Sequence, residues 1–215
     1  MHDATSTFGF LLLALTSMLA IVNPLSAVPL FLTITAGYAP ARRRQMLHAA
    51  LLTSVAVLFA FGLLGTFILQ FFGITTNAFR LTGGILFLGI GSDMLQAKRS
   101  RAKTTEDEDI EAEAREDVGV IPLGMPTLAG PGAITTVITL EAQARTPAQS
   151  AMIYVAILAV LAASWAVLSI APLLFRRFGR TGLNVMTRIM GLIVMVIGMQ
   201  FLIDGVRAVA DAMRS

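Results

Sequence analysis

Six apolar segments, near residues 8–35, 49–72, 78–96, 118–140, 151–175 and 186–208, occupy most of a 215-residue chain. A hydrocarbon layer about 30 Å thick is crossed by roughly 20 apolar residues in a helix, so each segment is long enough to span it. Inside lipid every backbone amide and carbonyl must find its partner within the protein, and for runs of this length that means a helix. The expected fold is an all-α membrane protein of six transmembrane helices, one transmembrane domain over 1–215. Composition agrees, with 56% hydrophobic and 13% charged residues against about 25% charged in soluble domains. Met1 to Thr7 carries no Lys or Arg, and the apolar run behind it is long for a signal peptide, so the first span is expected to be retained.

Two of the six segments contain helix-hostile sequence. Asn23-Pro24-Leu25-Ser26-Ala27-Val28-Pro29 interrupts the first, and Ala129-Gly130-Pro131-Gly132-Ala133 the fourth. Proline removes a backbone donor and glycine frees the backbone, so both stretches favour unwinding. Irregular backbone survives at membrane depth only where protein or a water-filled cavity covers it, and paired interruptions in corresponding positions of two halves point to a transport site. The alternative is an ordinary kinked helix. Asn23, Ser26, Thr33 and Thr35 flank the first interruption and Thr127, Thr135, Thr136 and Thr139 the second. If each interruption leaves a half-helix whose N-terminus lies in mid-membrane, its free amides and positive dipole end suit a carboxylate. Asn23, Pro24, Ser26, Gly130, Pro131, Gly132, Thr135 and Thr136 are the expected substrate-binding set, and a small zwitterion is the expected ligand.

A gapless shift of 107 residues supports a duplication. It places Pro24 on Pro131, Phe71 on Phe178, Asn77 on Asn184, Gly84 on Gly191, Ile90 on Ile197, Gly91 on Gly198 and Leu95 on Leu202. Three spans per copy force the second copy to enter the membrane upside down, a recurring transporter plan. Repeat one would cover about 8–96, a linker 97–117, and repeat two about 118–208, with helices 1 and 4 broken at the Pro/Gly motifs. Gly84 and Gly91, like Gly191 and Gly198, are seven apart and share a helical face. Small residues let membrane helices approach closely, so these four are expected to seat spans three and six against the broken helices.

Arg42, Arg43 and Arg44, the five basic residues of the linker, and Arg176, Arg177 and Arg180 make 11 of the 16 Lys and Arg on one side of the membrane. Positive-inside logic then puts both termini outside the cytoplasm. The linker turns from basic, Lys98 to Lys103, to acidic, Glu106 to Asp117, as expected of a solvated connection. The arginines sit in short loops rather than on a basic domain, so nucleic acid is not an expected partner despite the net charge of +3. The bilayer and a small-molecule substrate are; the oligomeric state is left open. With no cysteine and only His2 and His48, disulfides, thiolate zinc sites and histidine metal clusters are excluded, and no cofactor is expected.

Asn23 to Phe31, Arg80-Leu81-Thr82-Gly83-Gly84, Pro122 to Ile134 and Arg188-Ile189-Met190-Gly191 resemble the MarC family of bacterial inner-membrane proteins. The resemblance runs along essentially the whole chain, although many members carry Gly where this chain has Ser26. It implies six spans, an inner-membrane location and kinship with amino-acid exporter-like proteins. The family name comes from an antibiotic-resistance locus, while some members are described as transporters of small neutral amino acids.

Ionisable residues inside membrane spans are functional candidates by default. Asp93 and Asp204, near the ends of spans three and six, are the candidates for coupling to Na+ or H+; Glu141, Arg80 and Arg188 also lie at span ends, where capping or snorkelling is the plainer role. The leading expectation is a secondary transporter of small neutral amino acids working by alternating access. A drug or metabolite efflux protein is the alternative. An intramembrane enzyme is the weakest reading. Gly89-Ile90-Gly91-Ser92-Asp93 only approaches the Gly-x-Gly-Asp element of membrane aspartyl proteases, and no Gly-x-Ser-x-Gly elbow accompanies His48.

Overall fold

A computed structural model gives the fold of residues 7–35, 37–96 and 128–213. The charged linker and the stretch from Pro122 to Thr127 lie outside the described residues, and with them the first part of the fourth expected span. Everything regular among the described residues is helical. The elements are α1 (Thr7–Val22), α2 (Pro24–Ile34), α3 (Pro40–Phe71), α4 (Thr76–Leu95), α5 (Pro131–Gln143), α6 (Pro147–Ser169) and α7 (Ala171–Ala212).

Local chemistry sets the starts. Proline occupies the first helical position of α2, α3, α5 and α6, where its missing N–H is one that the helix would not use. The hydroxyl of Thr75 accepts from the Ala78 amide at 3.2 Å and that of Thr146 from Gln149 at 3.2 Å, capping α4 and α6. Hydroxyls within the spans turn back on their own helix: Ser54 donates to Ala50, Thr136 to Gly132 and Ser164 to Val160, at 2.8–2.9 Å. That bond lets a polar side chain sit at zero exposure in an apolar interior.

Five stretches are long and apolar enough to cross a membrane: Thr7–Ile34, Pro40–Phe71, Thr76–Leu95, Pro147–Ser169 and Ala171–Asp211. The helix α5, with 13 residues, extends only about 20 Å and covers part of a bilayer. Large apolar side chains point outward, Leu52 at 73% and Phe67 at 64% exposure among them, as lipid-facing surface requires. The stretch holding α1 and α2 is the most enclosed, with half of its most apolar window buried against 22% for α3.

Several boundaries differ from those expected. The second span starts at Pro40, so Arg42, Arg43 and Arg44 belong to the first turns of α3 and not to a loop; a proline start tolerates them because their long stems can carry the charge outward. The fifth ends at Ser169 rather than 175, and the next helix begins at once with Ala171. Within α7, Gly179 takes φ 63°, ψ −175°, a kink that separates Ala171–Phe178 from the long final span. Only glycine adopts that backbone readily.

Packing of α4 on α7 is the most extensive between the described helices, and glycines make it close. A Cβ added at Gly84 would stand 2.8 Å from the Gly198 carbonyl oxygen, and one at Gly198 would stand 2.9 Å from that of Gly84. Gly91 and Gly191 are related in the same way, at 2.7 and 2.9 Å. As numbers rise along α4 they fall along α7, so the two run antiparallel. These four glycines were expected against the broken helices; they instead seat α4 and α7 on each other. Gly83 faces α5, since a Cβ there would come within 2.7 Å of Thr135 Cγ2. One residue's displacement turns a helix by about 100°, which is why neighbouring glycines serve different partners.

Candidate functional site

The first apolar stretch is interrupted at one residue. Asn23 takes φ 43°, ψ 75° and is the only non-glycine residue with positive φ among those described. Asparagine enters the left-handed region more readily than other side-chain-bearing residues. Its amide closes α1 by donating to the Leu19 carbonyl at 2.9 Å, and its carbonyl accepts from the Ser26 amide at 3.1 Å and the Ser26 hydroxyl at 2.8 Å. The chain then restarts as α2. Asn23 is 1% exposed, yet its Nδ2 has no hydrogen-bond partner, an unmet pair of donors in the interior.

The N-terminus of α5 lies against this point. Gly130 is extended, at φ −68°, ψ 176°, and Pro131 opens the helix. A Cβ added at Gly132 would approach Ile21 Cγ2 to 3.1 Å and Ile90 Cδ1 to 2.9 Å, so the first turn of α5 meets the last turn of α1 and the middle of α4. Only a glycine fits at that meeting without displacing a neighbour. Along α5, Thr135, Thr136 and Thr139 are all buried. Thr136 is satisfied by Gly132 and Thr135 packs on Gly83, whereas Thr139 Oγ1 has no partner. Of the expected residues, Gly132 lies against Ile21, two residues before Asn23, while Thr135 packs on Gly83 of α4.

The two aspartates are not gathered. Asp93 lies three residues beyond Ile90 on α4, the residue that a Cβ at Gly132 would meet. Asp204 neighbours Gly205, whose added Cβ would meet Leu81 at 2.7 Å, close to the beginning of α4. Antiparallel packing therefore separates them by about 15 residues of helix, roughly 22 Å at 1.5 Å per residue. Asp204 accepts 2.8 Å from Gln200 on its own helix. Glu141, at the end of α5, accepts from the Ser150 hydroxyl at 2.8 and 3.0 Å. His48 stacks on Trp165, ring centres 6.5 Å apart. Among the described residues no three His, Cys, Asp or Glu side chains converge as a metal site would need.

Sequence reading missed Pro40 and Pro147. They begin α3 and α6 and stand 107 residues apart, the shift that relates Pro24 to Pro131.

Known proteins place the chain. It is 36% identical over 198 residues to a UPF0056 membrane protein of Methanocaldococcus jannaschii, covering 92% of this chain and 96% of that one. The UPF0056 membrane protein YhcE of Escherichia coli is 35% identical, with 89% of each chain covered, and YvbG of Bacillus subtilis 34%, with 97% and 99% covered. No solved structure matches. A profile described as MarC family integral membrane protein matches residues 8–210, and the chain accordingly belongs to the MarC family of multi-pass integral membrane proteins.

Proposed function

We propose that this protein is a secondary transporter of small neutral amino acids in the bacterial inner membrane, working by alternating access around the junction of α2 and α5. The observation that carries the reading is the pair of short helices, 11 and 13 residues long, each opened by a proline, with the first turn of α5 packed against Ile21, two residues before the break at Asn23. Two helix N-termini present free amides and positive dipole ends there, and the unpartnered Nδ2 of Asn23 adds a neutral donor. A carboxylate is the group that such donors attract, and the apolar neighbours Ile21, Phe87 and Ile90 favour a small uncharged side chain.

An inverted repeat underlies this reading. Under the shift of 107, Pro24 and Pro40 become Pro131 and Pro147, all four of them helix starts. The contacts Gly84 with Gly198 and Gly91 with Gly191 exchange with one another under the same shift. Packing of α3 on α5 likewise exchanges with α2 on α6, and α4 on α5 with α2 on α7. Such a plan suits rocking of one half against the other. Of the two aspartates, Asp93 is the better placed to couple Na+ or H+, being one turn from the residue that touches Gly132. An aspartyl-protease dyad is disfavoured by the separation of Asp93 from Asp204.

Proteoliposomes test the proposal. Uptake of radiolabelled alanine, glycine or serine above that of empty vesicles is the expected result; equal counts across the small neutral set would refute it.

A further inference from the structure

Two cavities open at opposite ends of the bundle, and both are edged by guanidinium groups. The first, about 380 Å³, lies where α5 hands over to α6, between Arg80, Arg145, Gln143 and Gln149 with Phe10 and Leu13 as an apolar wall. The second, about 490 Å³, lies where α2 hands over to α3, between Arg43 and Arg44 with Phe31, Leu47, Trp165 and Leu168. Both volumes fall in the range of small-molecule sites. Each cavity sits where a short helix passes to the next span, so the two positions correspond in the two halves of the chain.

One arginine in each is electrostatically incomplete. Nε of Arg80 and Nε of Arg43 are both buried and lack any acceptor. Arg43 reaches the Thr35 carbonyl only at 3.5 Å, through Nη2, and Glu141, the acid at the end of α5, is occupied by Ser150. Guanidinium stays protonated, so a buried N–H of this kind is relieved only by an acceptor, and a carboxylate matches its fork with two parallel bonds. Gln149, 4% exposed, holds the Arg145 backbone amide at 2.8 Å and so keeps the rim of the first cavity in shape.

We infer that the two cavities are the outer and inner vestibules of one path, and that Arg80 and Arg43 capture the free carboxylate of the cargo at its two mouths. This rests on the transport reading above and adds to it a requirement: the cargo must carry a carboxylate, and its amide is excluded.

The absence of cysteine makes the full chain its own background for labelling. In reconstituted vesicles, Arg80→Cys and Arg43→Cys are expected to react with a membrane-impermeant thiol reagent from opposite sides. In Leu13→Cys and Arg44→Cys, on the same cavity walls and with Arg80 and Arg43 intact, alanine should slow the reaction and alaninamide should not. Arg80→Cys and Arg43→Cys should each raise the half-saturation for alanine uptake about tenfold, the scale of a lost charge-assisted bond. A cationic methanethiosulfonate should restore it and an anionic one should not. Reaction of both cysteines from one side, equal protection by alaninamide, or equal rescue by either reagent would overturn the inference. Should the unaltered protein move no amino acid, the transport reading falls alone, and the protection arm still decides the arginines: shielding by alanine but not alaninamide supports them, and no shielding refutes them. Leu13→Cys and Arg44→Cys also carry the sidedness test if the first pair fails to fold.

Discussion

Asn23 joins a backbone role to an unmet side-chain role, and substitution can separate them. Glycine accepts φ 43° without penalty, so Asn23→Gly should unfold in detergent at close to the unaltered temperature while its alanine uptake falls sharply, the amide donors being gone. A β-branched replacement is opposed by the left-handed backbone itself. Asn23→Val should lose roughly 1–2 kcal/mol of stability, visible as a lower midpoint in the same melt. Equal uptake by Asn23→Gly and the parent would remove the side chain from the site. Nothing in the residue list of the chain marks Asn23 as buried and unpartnered. Its place before Pro24 suggested a break, and only packing left its amide without an acceptor.

Among the elements, glycines bring α4 close to α7 and α5 close to its neighbours. At Gly84 the opposing atom is a backbone oxygen, which cannot rotate away, so Gly84→Leu should force the helices apart at a cost of about 1–3 kcal/mol or more. Thermal unfolding of the purified variant checks this, and Gly89→Leu is the control, since a Cβ there meets nothing within 4 Å. Gly132→Ala is milder because the nearest atom is the flexible end of Ile90; it should fold and yet lower uptake, having narrowed the junction. Replacing Pro131 by leucine restores a backbone donor at the start of α5 and should reduce transport while leaving membrane insertion intact, as measured by uptake beside a membrane-fraction immunoblot.

For the molecule as a whole, the arginine distribution predicts its orientation. Arg42, Arg43, Arg44, Arg176 and Arg177 share the end of the bundle opposite the first residue of α1 and the last turns of α7, so that end should face the cytoplasm. A C-terminal alkaline phosphatase fusion should therefore be active and a green fluorescent fusion dark; the reverse would invert the assignment. The shift of 107 was readable from Pro24 and Pro131 and from the glycines at 84, 91, 191 and 198, because prolines at helix starts and glycines at crossings answer to local geometry and close approach; Pro40 and Pro147, which the same shift relates and which begin α3 and α6, were missed. The pairing of those glycines was not readable. Gly84 and Gly91 announce a small-residue face, but an apolar helix presents no polar side from which to deduce which neighbour it meets.

Apolar run length by itself determined that the chain is helical and membrane-embedded, since lipid admits few other ways of satisfying a backbone. Proline and glycine positions determined where helices begin and where they can be interrupted, through donors withheld and backbone freed. What only tertiary structure decided is who meets whom: the glycine faces of α4 and α7 on each other, Gly132 against Ile21 and Ile90, Asp93 and Asp204 at opposite ends of one helix pair, and arginine-edged cavities at both ends of the bundle. Those are relations between distant segments, set by which surfaces fit closely enough to exclude lipid, and a hydrophobic pattern alike on all sides of its helices does not encode them locally.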